Sequence, residues 1–103
     1  MNRQKIYQLM GLCQKGRMLV SGEFGVKQAV LEEQVYLVIV ATDASKNTTK
    51  LFEDKCAYRS IDCIKWSTKE ELGHSIGREA RAVIGILDKK LAEKIRDMIK
   101  SDG

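Results

Sequence analysis

The chain has 103 residues, 44% hydrophobic and 31% charged, a balance that excludes a disordered or fibrous protein and suits one domain over 1–103. Against 14 Asp and Glu stand 18 Lys and Arg, and the net charge of +4 favours a polyanionic partner without requiring one. No apolar run reaches the roughly 20 residues of a membrane helix, and the polar start Asn2-Arg3-Gln4-Lys5 does not read as a signal peptide, so a cytoplasmic protein without membrane contact is expected.

Proline is absent, so glycines and Asx/Ser/Thr clusters punctuate the chain. Ile6, Leu9, Met10 and Cys13 stand at helical spacing and predict a first helix from Arg3 to Gln14, ended by Gly16. Met18-Leu19-Val20 reads as a short strand. Ser21-Gly22 then opens a second helix, with Glu23 favourably placed in its first turn and Phe24, Val30 and Leu31 on its buried face. Val35-Tyr36-Leu37-Val38-Ile39-Val40 lacks polar alternation and predicts a central strand buried on both faces.

A third helix, capped near Asp43–Ser45, is expected to reach Tyr58, followed by a strand over Cys63–Trp66. Thr68 caps a fourth helix running to Ile76, and Ala82–Leu87 forms the fourth strand. Asp88 caps the last helix, where Leu91, Ala92, Ile95, Met98 and Ile99 make an apolar stripe. The order αβαβαβαβα predicts an α/β fold, a three-layer α/β/α sandwich around a small mixed four-stranded sheet.

Catalytic signatures are missing: there is no GxSxG, P-loop, GxGxxG or HExxH pattern. His74 lies on a polar helix without cysteine or carboxylate at ligand spacing, and Cys13, Cys56 and Cys63 form no CxxC pair. The three thiols read as buried and reduced. No enzyme, metal, cofactor or small-molecule substrate is expected.

Three basic segments carry the remaining chemistry. The helix start Ser21-Gly22-Glu23, with Lys27 one turn further, offers backbone N–H groups to an anion, and Lys15 and Arg17 are expected nearby. Its plainer alternative is a Ser/Gly cap followed by a Glu23–Lys27 surface pair. The end of the central strand supplies Thr42 and Lys46 where open α/β sheets hold ligands, although Asp43 and Ser45 read as caps. The loop Arg78-Glu79-Ala80-Arg81 sets two arginines among small residues, suited to phosphates or otherwise an exposed basic turn. Trp66, Tyr36 and Phe24 read as core, so no stacking platform is expected.

Several segments together resemble the "L seven Ae"/"L thirty e" family of ribosomal and kink-turn RNA-binding proteins, and most of all its bacterial YlxQ-like branch. They are Leu19-Val20-Ser21-Gly22-Glu23 with Lys27, Ala41-Thr42-Asp43-Ala44-Ser45 with Asn47-Thr48, Asp54-Lys55-Cys56, and Thr68-Lys69-Glu70-Glu71-Leu72-Gly73 with Ile76-Gly77. The resemblance implies a non-catalytic, monomeric, ribosome- or translation-associated RNA-binding protein. Its partner would be structured RNA, ribosomal RNA included, recognised by shape at a kink-turn or related internal loop.

Carried over residue by residue, Ser21 to Lys27 would enter the groove and Arg78, Glu79, Ala80 and Arg81 would flank it. Lys27, Lys46, Arg78 and Arg81 would contact phosphates, Ser21 and Gly22 would permit close approach, Glu23 would read a base edge, and Thr42 would lie at the flank. The family's kink-turn binders carry Gly-x-Asn-Glu-x-x-Lys here. This chain keeps Lys27 but has Glu23 for the asparagine, Phe24 for the glutamate, and arginines in a loop that is usually hydrophobic. The alternative implied by those departures is a protein-interaction module on the same fold that has lost specific kink-turn binding.

Overall fold

The computed structural model describes residues 3–102, so Asn2 of the expected polar start lies outside the described residues. Elements alternate as α1(Arg3–Lys15), β1(Leu19–Ser21), α2(Glu23–Leu31), β2(Leu37–Val40), α3(Lys46–Tyr58), β3(Asp62–Lys65), α4(Lys69–Ser75), β4(Val83–Ile86) and α5(Lys89–Asp102). The strands form one mixed sheet in the order β1-β4-β2-β3. β4 runs antiparallel to both neighbours, whereas β2 and β3 are parallel. The expected α/β/α sandwich and element order are those observed.

β2 lies inside the sheet between β4 and β3, and both of its faces are covered. Leu37 and Ile39 point into a core shared with Ile6, Met10 and Cys13 of α1, Leu72 of α4, and Ala92, Ile95 and Ile99 of α5. Val38 and Val40 point the other way, onto Val26, Ala29 and Val30 of α2 and Phe52 and Cys56 of α3. Side chains alternate along a strand, so a strand between two helical layers must be apolar at every position. Gly85 of β4 keeps α2 close, since a Cβ there would meet the Val35, Val20 and Val26 side chains at 3.0, 3.2 and 3.5 Å.

Three apolar assignments are corrected. Phe24 is 83% exposed and Leu31 40%, because the buried face of α2 runs through Val26, Ala29 and Val30 at i, i+3, i+4 spacing. Tyr36 precedes the β2 ladder and is 48% exposed. Cys13 and Cys56 are buried as expected, while Cys63 is only half-buried.

Caps form where side chains reach free N–H groups. Ser45 Oγ accepts from the Thr48 N–H at 3.1 Å, Thr68 Oγ1 from Glu71 at 3.2 Å, and Asp88 Oδ2 from Leu91 at 2.9 Å. A polar cluster joins α1 to the end of β3. There the Tyr7 hydroxyl lies 2.6 Å from Ser67 Oγ and donates to Glu71 Oε1 at 2.6 Å. Trp66 Nε1 donates to Asp102 Oδ2 at 3.2 Å, and the Arg3 guanidinium sits 4.9 Å above the Trp66 ring. Burial, reinforced by Glu71, holds the Tyr7 phenol above its usual pKa.

Candidate nucleic-acid interface

The strand register gathers four loops at one edge of the sheet. Ser21 pairs with Ile84, Val40 with both Val83 and Lys65, so the ends of β1, β2 and β3 lie at the same end of the sheet as the start of β4. Backbone bonds hold the loops together: Gly22 N–H to the Val83 carbonyl (3.0 Å), Ala41 N–H to Ala82 (2.8 Å) and Thr42 N–H to Ser67 (2.8 Å). β4 separates the start of α2 from the end of β2, about 10 Å at the usual strand spacing.

Gly22 makes the turn into α2. Its φ of 89° and ψ of 156° lie in a region open essentially to glycine alone, and it brings no side-chain cap. Ser21 is not the cap either. Its hydroxyl instead accepts a 3.2 Å hydrogen bond from Arg81 Nε, and Arg81 Nη1 donates to the Ala80 and Glu79 carbonyls at 3.2 and 3.4 Å. The arginine thereby ties the β1–α2 turn to the loop before β4. That loop is fixed at its other end by Arg78 N–H to the Gly73 carbonyl and Arg81 N–H to the Lys69 carbonyl, both 2.9 Å.

Between these segments lies an open groove of about 690 Å³, lined by Ser21, Gly22, Glu23, Phe24 and Gly25 on one wall and by Ala80, Arg81, Ala82 and Lys69 on the other. A second open depression of about 580 Å³ is lined by Thr42, Ala44, Lys46, Thr49, Lys50 and Lys65 together with Glu53 and Asp54, and Asp54 pairs with Lys50 at 3.2 Å. Thr42 Oγ1 is occupied at 2.8 Å by the Ser67 carbonyl. Asp43 is also committed, since Oδ1 accepts the Lys69 N–H at 2.9 Å and so caps α4 from a distant turn.

The structure therefore brings Ser21, Gly22, Glu23, Ala80 and Arg81 around one groove and places Thr42 and Lys46 in the neighbouring depression. Lys27 is exposed one turn along α2, and Arg78 and Glu79 are exposed in the loop; none of the three lines either depression. The Glu23–Lys27 surface pair of the plainer alternative is not formed among the described residues. Lys15 and Arg17 precede β1 and sit at the opposite end of the strands, because Leu19 pairs with the far end of β4 at Ile86. Among the lining residues that carry no expected role, Lys69 and Phe24 stand in the groove and Lys50 and Lys65 in the depression.

Residues 4–96 match the Ribosomal protein L7Ae/L30e/S12e/Gadd45 family. The chain belongs to this family. It is 35% identical over 99 residues to the RNA-binding protein YlxQ of Bacillus subtilis, covering 96% of this chain and 99% of that one. The Enterococcus faecium RNA-binding protein YlxQ is also 35% identical, with 96% and 95% covered. Among solved structures, a Bacillus halodurans protein described as of unknown function superimposes with a TM-score of 0.90 at 36% identity, over 93% of this chain and 97% of that one. A Giardia lamblia 15.5kD RNA binding protein shares the fold at TM-score 0.79 and 16% identity, over 95% and 84%.

Proposed function

We propose that this family member is a non-catalytic RNA-binding protein that meets structured RNA with the loop edge of its sheet. The supporting observation is the convergence there of Lys69, Arg81, Lys46 and Lys65 on two open depressions, in a chain 35% identical to proteins named for RNA binding. Arg81 is held by three protein acceptors, which fixes it for phosphate contact at little further entropy cost. Ser21 and Gly22 let the backbone approach, and Glu23 accepts from a base amino group, its charge offset by Lys69 and Arg81 lining the same groove.

In this reading Lys27, Lys46, Arg78 and Arg81 contact phosphates, while Thr42, Glu79 and Ala80 shape the flanks. The RNA is a kink-turn or related internal loop, recognised by shape, in a cytoplasmic, translation-associated setting and with a monomeric protein. Filter binding with a kink-turn RNA and a control whose sheared G·A pairs are replaced by Watson–Crick pairs tests this. The expected result is tighter binding to the kink-turn at every salt concentration. Equal, weak affinity for both RNAs that vanishes together with added salt would reduce the interaction to non-specific phosphate contact.

A further inference from the structure

The fold leaves one aromatic ring unused beside the basic groove. Phe24, the second residue of α2, is 83% exposed, although burial of such a side chain is favourable. Isolated exposed apolar residues are common, so exposure alone decides nothing. The surroundings of Phe24 do. Tyr58 is exposed to a similar degree but has its own cation, with Arg59 5.3 Å from the ring centroid, at the C-terminal end of α3. Phe24 instead lines the groove that holds Arg81 and Lys69.

We infer that Phe24 is the stacking residue for an unpaired RNA base, a role that rests on the RNA-binding reading and names the side chain that would meet the loop's unpaired base. Two features favour a base. Four of the groove's lining residues, Gly22, Gly25, Ala80 and Ala82, are small and leave room for a flat aromatic system, beside the Glu23 carboxylate. Arg81 and Lys69 on the facing wall match the phosphate that a base carries with it, a requirement an apolar peptide does not share. Arg81 Nη2 makes no hydrogen bond among the described residues and remains available to that phosphate. A base inside a duplex is already stacked on its neighbours, so only an unpaired one gains from the ring.

The test measures affinity of the full chain and its Phe24 variants for two RNAs: a hairpin with an internal loop of unpaired purines, and the same hairpin with the loop closed by Watson–Crick pairs. Phe24→Ala and Phe24→Leu should weaken binding of the looped RNA by about 5- to 150-fold, the range of one lost base–aromatic stack, and leave the closed RNA nearly unchanged. Phe24→Tyr and Phe24→Trp should retain wild-type affinity. Because the side chain is outside both cores, all four variants should unfold at the wild-type temperature. Wild-type affinity in Phe24→Ala, or in Phe24→Leu, would overturn the stacking role and leave the ring to a protein contact. Equal losses on both RNAs would overturn it as well. Failure of the unaltered protein to bind either RNA would instead sink the RNA-binding reading itself.

Discussion

Replacing Gly73 with alanine should destabilise the protein and displace the loop over residues 78–81 in one step. Gly73 is buried on α4, and a Cβ built there would lie 1.9 Å from the Glu79 carbonyl oxygen, 2.6 Å from its carbon and 3.0 Å from Ala80 Cα. Ordinary van der Waals contact begins at 3.4 Å, so the loop backbone must retreat by about 1.5 Å. Backbone cannot rotate aside as a side chain does, and this stretch is pinned by the Arg78–Gly73 and Arg81–Lys69 bonds.

Overpacking of this kind costs about 1–3 kcal/mol, and exchanging glycine for alanine within a helix returns about 0.8–1.0 kcal/mol. Because the clash is with pinned backbone, the upper part of that overpacking range, about 2–3 kcal/mol, applies, and the net expectation for Gly73→Ala is a loss of about 1–2 kcal/mol, or roughly 4–16 °C in Tm for a domain of this size. Gly25→Ala supplies the contrast. Its Cβ would meet only Val20 Cγ2, at 2.8 Å, and that side chain can shift. Urea unfolding followed by circular dichroism measures both variants. A Gly73→Ala protein as stable as the wild type would refute the close packing of the loop on α4.

Phe52 is fully buried among α2, α3 and the sheet, so Phe52→Ala should cost about 3–5 kcal/mol, seen as a lower urea midpoint with an unchanged slope. Asp43→Ala removes the acceptor for the Lys69 N–H at an exposed site; stability should fall by about 0.5–1.5 kcal/mol and the Lys69 amide should exchange faster, whereas Asp43→Asn should lose less. The Tyr7 phenol is raised by burial and by its bond to Glu71, so its stabilising contribution is complete below the ordinary phenol pKa and lost as pH rises through the higher folded value. Unfolding measured at neutral pH and in the alkaline range should therefore show a smaller alkaline loss in Tyr7→Phe than in the wild type.

The sequence carried the layer architecture well because its strongest patterns have a single structural solution. An unbroken apolar stretch such as Leu37–Val40 must be covered on both faces, and the α5 stripe, with Ala92, Ile95 and Ile99 buried, fits only a helix docked on one side. The short second helix was less decisive. Apolar residues at 24, 26, 29, 30 and 31 occupy more than one face of a nine-residue helix, and only the position of the sheet selects Val26, Ala29 and Val30. Phe24 therefore reads as core from sequence alone.

The groove was half legible for a different reason. Glycine and the small polar residue beside it announced the turn at Ser21–Gly22, yet the opposite wall arrives through the Arg81–Lys69 backbone bond, which no local pattern encodes. Lys15 and Arg17 show the converse error. They are near Ser21 in sequence, but the intervening β1 carries the chain along its own length to the other end of the strands.

Chemical-shift mapping of isotope-labelled protein during titration with a kink-turn RNA tests RNA binding at this edge most directly. Binding there predicts that the largest amide changes fall on Ser21–Gly25, Thr42–Lys46, Lys69 and Arg78–Ala82. Changes confined to the opposite edge, around Arg17 and Glu33–Tyr36, or no changes at all, would contradict it.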